Sequence, residues 1–429
     1  MTHREQLLHY VWKWRLFPHG SLETVEGHKI EVIDPGMHNT DAGPDFFNAK
    51  IRIGDKLWAG NVEIHRTSAD WVNHGHHTDK AYNSVILHVS EIVNREVVNE
   101  KRQPIPQCEI VVPENVSRNA DYLLYSDTPI PCKNNLSSLP VTTISSYLSL
   151  LSLERLERKV NDIFRHLDRF GNSWDEVFYV LLSRNFGFGL NADEFENLAL
   201  SLPFNYILKQ SDNLFQVEAL LFGQAGMLED TTLNDEYFIG LQKEYLFLKS
   251  KYALKNREEF LFKKMRVRPR SSPHLRIAQL AALLQKSGRL FSLILEKEEN
   301  RQWISLFQTE PSLYWQSHYS FGSKSPNIGK RLGEASVGII LINTVAPLLF
   351  AYGRKRGGDL YCDRALRLLE SLKPERNSIV AEFSAAGITP VNASQSQALI
   401  QLRKEYCDKR KCLYCHIGHT ILSSHGLMT

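Results

Sequence analysis

The feature that most constrains this chain is a change of hydrophobic period. Apolar residues recur at helical spacing from Arg4 to Leu16, with Leu7, Leu8, Val11, Trp12 and Leu16 on one stripe. The period then shortens. Lys29–Ile33, Phe46–Ile53, Leu57–His65 and Ser84–Val93 alternate or run apolar and are rich in β-branched residues, so they read as strands. Glycines 36, 43, 54 and 60 and Pro44 punctuate them as turns or bulges. A short helical or irregular piece, Ser68 to Lys80, precedes the last of these strands, and Glu109–Val112 reads as a further strand. After Pro140 the helical period returns in long segments, among them 144–167, 174–186, 193–202, 215–225 and 235–252. The expected class is α+β, a mixed α/β domain over residues 1–138 followed by an all-α domain over 139–429.

A chain of 429 residues has room for two or three domains. With 43% hydrophobic and 23% charged residues it has the balance of a globular protein, so disorder is excluded. A net charge of +3 gives no global attraction to nucleic acid, and any basic surface has to be local. The opening residues are charged and amphipathic and do not read as a secretory signal. The apolar run Val337–Leu349 is broken by Gly338, Asn343 and Pro347 and is too short for a bilayer, so a buried helix is expected. These features point to a cytoplasmic protein with no membrane partner and with reduced thiols.

The chemistry gathers where the strands are. Asp41-Ala-Gly-Pro-Asp45 opens one strand, and the next ends Asn61-Val-Glu63-Ile-His65. Residues two apart share a strand face, so Glu63 and His65 project together while Val62 and Ile64 point into a core. A hairpin brings Asp45 beside Glu63, and two hard oxygen ligands suit Mg²⁺ or Mn²⁺. Such an ion acidifies a bound water and stabilises charge on a phosphoryl oxygen, with His65 placed to orient or deprotonate that water. The plainer alternative makes Asp45 a turn cap and Glu63 a solvated strand residue. Just downstream, Asp70-Trp71-Val-Asn-His74-Gly-His76-His77-Thr-Asp79, with Tyr82 and His88 beyond, concentrates imidazoles. His74, His76, His77 and Asp79 are expected at the rim of the same cleft. The order of these residues does not match the HxHxDH motif of metallo-β-lactamase-like hydrolases. The competing account is a polar loop whose histidines bond to backbone.

Pro44-Asp45, the strand with Glu63-x-His65, and the order helix, three strands, short helix, strand resemble the PD-(D/E)xK nuclease superfamily over roughly the first quarter of the chain. The resemblance implies that Asp45 and Glu63 bind metal and that Glu5, on the first helix, adds an acidic group. A lysine normally stands where this chain has His65, which leaves metal binding intact and weakens the case for catalysis. Nearly the whole chain also resembles an uncharacterised bacterial family of unknown function. That resemblance is carried by Gly43-Pro-Asp45-Phe, Gly60-x-Val-Glu63-Ile-His65, Asp70-Trp71 with His74-Gly-His76, Leu87-His88-Val89, Glu218 to Gly226, Arg266-x-Arg268-Pro269 and the terminal cysteines.

Beyond the strand-rich region, Lys263, Lys264, Arg266, Arg268 and Arg270 form the densest basic stretch. They read equally as phosphate contacts and as a solvated helix end. Glu218, among apolar residues beside Gly223 and Gly226, reads as helix packing. Near the carboxyl terminus, Cys407, Cys412 and Cys415 stand close together, and the Cys412-x-x-Cys415 turn suits a structural Zn²⁺. Lys409, Arg410 and Lys411 should favour the thiolates. His416, His419 or Cys362 is the expected fourth ligand. An iron–sulfur cluster and a group of buried thiols are the alternatives. The leading functional expectation is a metal-dependent phosphodiesterase acting on nucleic acid. Its rival is a non-catalytic scaffold that binds nucleic acid or protein.

Overall fold

The structure, a computed structural model, describes residues 3–18, 20–255, 262–263, 269–286, 288–326 and 329–424. Two compact units emerge. One takes the chain up to Tyr147 with Ala385–Ile388 and the tail from Leu402. The other takes Leu148–Ser384 and Thr389–Gln401. The α+β class is as the change of period implies. The sequence reading assigned the tail to the helical region, whereas it folds with the first unit.

The first unit is built on a mixed sheet. Its strands are β1 (Ile30–Asp34), β2 (Met37–His38), β3 (Phe46–Ile53), β4 (Lys56–Thr67), β5 (Val85–Ile92) and β6 (Gln107–Glu109). They lie in the order β1-β3-β4-β5-β6, with β2 paired to β3. The first three of that order pair antiparallel, whereas β5 runs parallel to both β4 and β6. A parallel pair needs a crossover. Here it is helix α2 (Asp70–Asn73) with two 3₁₀ turns, His76–Thr78 and Lys80–Ser84.

Helix α1 (His3–Lys13) packs on β4 and buries Leu7, Leu8, Tyr10, Val11 and Trp12. It stops three residues earlier than its apolar stripe. Arg15 adopts a left-handed φ of 51°, and the Leu16 N–H bonds back to the Val11 carbonyl, which closes the helix end. Because α1 covers one face of β4, the segment Val62–His65 is buried on both faces.

The expected strand Glu109–Val112 is displaced. Pairing with β5 spans only Gln107 to Glu109, and Val111 is exposed. The chain then turns at Pro113 into helix α3 (Glu114–Leu124), which the sequence reading missed.

The helical unit follows its expected segments within a few residues. Trp174–Phe186 is as read, and Asp235 caps Glu236–Tyr252 by accepting the Phe238 N–H at 2.9 Å. Glu218 is fully buried and accepts a hydrogen bond from the Tyr237 hydroxyl. The apolar run 337–349 lies in one helical stretch, Glu334–Arg356, long and apolar enough by composition to cross a membrane. Of its most apolar window, 67% is buried in the protein. The stretch loosens to a π turn at Leu341–Val345. Pro347 has no N–H to offer the Asn343 carbonyl, which accepts instead from the Asn185 side chain at 3.3 Å.

Candidate functional site

The loop before β3 is organised by Asn39. Its side-chain amide donates to the carbonyls of Asp41, Ala42 and Pro44, and its N–H bonds the Asp45 carbonyl at 2.7 Å. Gly43 supplies the φ of 104° that this loop needs. Asp45 is thereby set opposite β4. Its N–H donates to Glu63 Oε2 at 3.0 Å, and its Oδ2 accepts the Ile64 N–H at 2.8 Å. The carboxylate therefore reaches across to the neighbouring strand and does not cap its own turn. A bulge follows at once. Asn48 takes a φ of 56°, and the register shifts between Phe46 and Ala49.

Glu63 is only 4% exposed. Burial, and then the negative charge of Asp45, push its carboxyl up to about 9, with Glu5 adding to the same effect. Two carboxyl groups in a desolvated site resist joint ionisation unless a cation joins them. His9 is one turn beyond Glu5 on α1 and was not singled out from the sequence. Its Nε2 stands 3.4 Å from Asp45 Oδ2, and its Nδ1 stands 3.3 Å from His38 Nε2. His9 Nε2 is buried without a hydrogen bond, since its approach to Asp45 lacks the geometry of one. The i,i+4 spacing of Glu5 and His9 on the helix was the available signal.

On the other side of Glu63 the histidines converge. Its Oε1 lies 3.2 Å from His76 Nε2 and 3.5 Å from His65 Nε2. One ring nitrogen from each of His65, His74 and His76 lies within 4.8 Å of the other two. His65 also meets His74 at 3.1 Å and, through Nδ1, His88 Nε2 at 2.9 Å. The crossover makes this possible. Gly75, at φ 80°, turns the chain between His74 and His76, and His76 stacks on Tyr82 with centroids 3.8 Å apart. Trp71 is fully buried beneath, edge-on to His76 and His88, with its ring N–H on the Val98 carbonyl at 3.0 Å.

Burial, and then neighbouring imidazoles, lower His65 to about 3. Burial lowers His88 to about 3 and moves His76 in the same direction. These rings are neutral at neutral pH, the state in which imidazole nitrogen binds metal. His65 thus does not replace a lysine's positive charge. The set of one buried carboxylate and three imidazoles fits a first-row transition ion better than Mg²⁺, which prefers oxygen.

The remaining candidates separate. Asp79 accepts the Ala81 N–H at 2.9 Å and caps the second 3₁₀ turn, so its side chain is used structurally. The buried Nδ1 of His77 makes no hydrogen bond, and His77 is outside the close trio. Lys263 and Arg270 are exposed on the helical unit, while Lys264, Arg266 and Arg268 lie outside the described residues. Arg276 is buried over the Phe188 ring at 4.1 Å and is a packing residue. The tail also reaches this region within the first unit. A cavity of about 20 Å³ is lined by Gln6, His9, Tyr10, Lys13, His38, Leu413 and Tyr414, and the Tyr414 hydroxyl feels the charge of Asp45.

No curated protein and no solved structure matches this chain. A family model described as "Protein of unknown function (DUF2851)" matches residues 5–378, a span that contains Asp45, Glu63 and the histidines and stops short of the cysteine-bearing tail. With most of its length matched, the chain belongs to the DUF2851 family.

Proposed function

We propose that the protein is a metal-dependent phosphodiesterase acting on nucleic acid, with its site at Asp45, Glu63 and His65. The observation that carries this reading is the buried Glu63 carboxyl, held between Asp45 on β3 and the imidazoles of His65 and His76. Placement of the acidic pair on adjacent strands, under a helix bearing Glu5, supports the likeness to the PD-(D/E)xK nucleases. Glu63, His65, His74 and His76 would hold the ion, and of the two expected ions Mn²⁺, a first-row transition ion, accepts imidazole more readily than Mg²⁺. When bound, the ion supplies an acidified water and a counter-charge for phosphoryl oxygens.

The side chains divide the remaining work. Asp45 fixes the β4 backbone at Ile64 and so aims Glu63. His65, neutral and backed by His88 at Nδ1, turns its Nε2 toward Glu63 and His74 and would hold and orient the ion with its water. His9, against Asp45 and His38, would help to position the Asp45 carboxylate. Exposed Lys263 and Arg270 give phosphate contacts on the helical unit. The absence of a lysine at His65 favours the second reading, a scaffold that binds nucleic acid or protein without cleaving it.

The deciding experiment is a cleavage screen of purified protein against single- and double-stranded DNA and RNA with Mg²⁺ or Mn²⁺. The expected result is cleavage in Mn²⁺ that Asp45→Asn reduces at least about 100-fold, in the range of losing one catalytic group. Binding to nucleic acid without cleavage under any of these conditions would establish the scaffold reading instead.

A further inference from the structure

Four cysteines meet in the first unit, and one of them comes from a distant part of the sequence. Cys407 ends the π turn Leu402–Cys407, and Cys412–Tyr414 forms a 3₁₀ turn that leads through Cys415 into helix His416–Leu422. The loop between them is clamped to residues 126–132. Arg410 donates to the carbonyls of Thr128 at 3.0 Å and Ser126 at 2.6 Å, and the Cys412 thiol faces the Leu123 carbonyl at 3.8 Å. Cys132 follows four residues after Thr128 and stands at the start of the 3₁₀ turn Lys133–Ser138. Cys132, Cys407, Cys412 and Cys415 are each buried, between 6% and 8% exposed, and none is in a disulfide. Cys407 interacts electrostatically with all three of the others, and Cys132 with Cys412 and Cys415.

Two of the three earlier candidates for a fourth ligand, Cys362 and His419, are engaged elsewhere, and the third, His416, is exposed. The Cys362 thiol points to the Phe350 carbonyl in the helical unit. His419 bonds the Tyr10 hydroxyl at 2.8 Å and stacks on Trp14. The tail's cations do not produce thiolates either, because burial outweighs Arg410 and pushes Cys412 up to about 12. Four buried thiols drawn from two distant segments can serve as apolar packing, as buried cysteines often do. They are a good binding site once a metal displaces the protons.

We infer that Cys132, Cys407, Cys412 and Cys415 form a four-thiolate centre for a thiophilic metal, and that this centre fixes Tyr414 beside Asp45. Each thiol gives its proton to solvent and its sulfur lone pair to the metal, with no change of oxidation state at sulfur. Tyr414 lies between the two cysteines of the tightest turn, so a rigid centre holds its ring in the cavity shared with His9 and His38. The four sulfurs have to close on one common centre. One zinc would draw them to about 3.8 Å, given a Zn–S bond of about 2.3 Å in a tetrahedron. An iron–sulfur cluster holds its four cysteines further apart. The thiolate centre stands independently of the phosphodiesterase reading.

The test uses the whole chain, purified without oxygen and analysed for zinc, iron and acid-labile sulfide. The expected result is about one zinc per chain, or iron and sulfide in similar amounts with the visible absorption of a cluster. Cys132→Ser should lower that metal at least about fivefold, whereas Cys362→Ser should leave it unchanged, because losing one of four ligands opens the shell. A His74→Ala/His76→Ala protein should keep thiolate-bound metal, which separates this centre from the histidine site. Should Cys132→Ser fail to fold, cobalt loaded into the wild-type protein reports the number of sulfur ligands through its charge-transfer absorption. Four sulfurs support the proposal. Three or fewer would overturn it, as would a wild-type protein that takes up neither zinc nor iron with sulfide. Metal removal should also speed amide hydrogen exchange at residues 407–422, and unchanged exchange there would overturn the positioning of Tyr414.

Discussion

At the scale of single residues, Glu63 decides how this protein responds to pH. Its folded-state value is raised to about 9 from an ordinary 4.5, chiefly by burial. A raised carboxyl stabilises the fold fully below 4.5, and that contribution is lost as pH rises toward 9. Protein stripped of metal should therefore weaken across that window. Glu63→Gln should be more stable than wild type at pH 8 with chelator present, by on the order of 2 kcal/mol, and should gain nothing from added Mn²⁺. Urea unfolding midpoints at pH 5 and pH 8 measure both effects. Equal midpoints for the two proteins at pH 8 would mean that Glu63 ionises without help. His65 and His88 act in the opposite sense. Both are lowered to about 3, chiefly by burial, so their contribution is complete above 6.5 and drains away as pH falls toward 3. In a Glu63→Gln background, stability should fall steadily between pH 6.5 and 4. His88→Gln should flatten that fall, whereas an unchanged slope would show that His88 is already charged at pH 6.

At the scale of elements, the close approach of β4 to β5 sets the site. A Cβ on Gly60 would meet Ile86 Cγ2 at 2.4 Å and the Ser84 carbonyl at 2.8 Å. Gly60→Ala should cost about 1–3 kcal/mol and weaken metal binding through displacement of Glu63. Thermal melts with and without Mn²⁺ check it, and a wild-type response to the ion would detach the strand from the site. Local pattern was enough to read this strand. Val62 and Ile64 alternate with Glu63 and His65, and that alternation is a property of a few adjacent residues. The same logic placed the stripe of α1 and the long helices. It failed at Glu109–Val112, where β-branched residues continue after the neighbouring strand has no more edge to pair with. It also failed for His9, which was not singled out although the candidate Glu5 is one turn away. Cys132 was illegible for a different reason. Its partners lie some 275 positions downstream, and no local period connects them.

At the scale of the whole molecule, the first unit holds the acidic and imidazole cluster, and the helical unit holds exposed Lys263 and Arg270. If nucleic acid contacts the helical unit at these residues, Lys263→Ala/Arg270→Ala should weaken binding at low salt without changing the metal affinity. The slope of log affinity against log salt should drop by about 2, roughly one for each phosphate left without its cation. An unchanged slope in fluorescence anisotropy titrations would remove these two residues from the interface. The central claim is that Glu63 and its imidazoles bind the ion that cleaves phosphodiesters. Its most direct test is the rate of cleavage of an end-labelled oligonucleotide as Mn²⁺ is raised, in wild type and in Glu63→Gln. The account predicts saturable, Mn²⁺-dependent cleavage in wild type and a rate in Glu63→Gln at least about 100-fold lower at every Mn²⁺ concentration. Cleavage in Glu63→Gln with the wild-type dependence on Mn²⁺, or none in wild type, would contradict it.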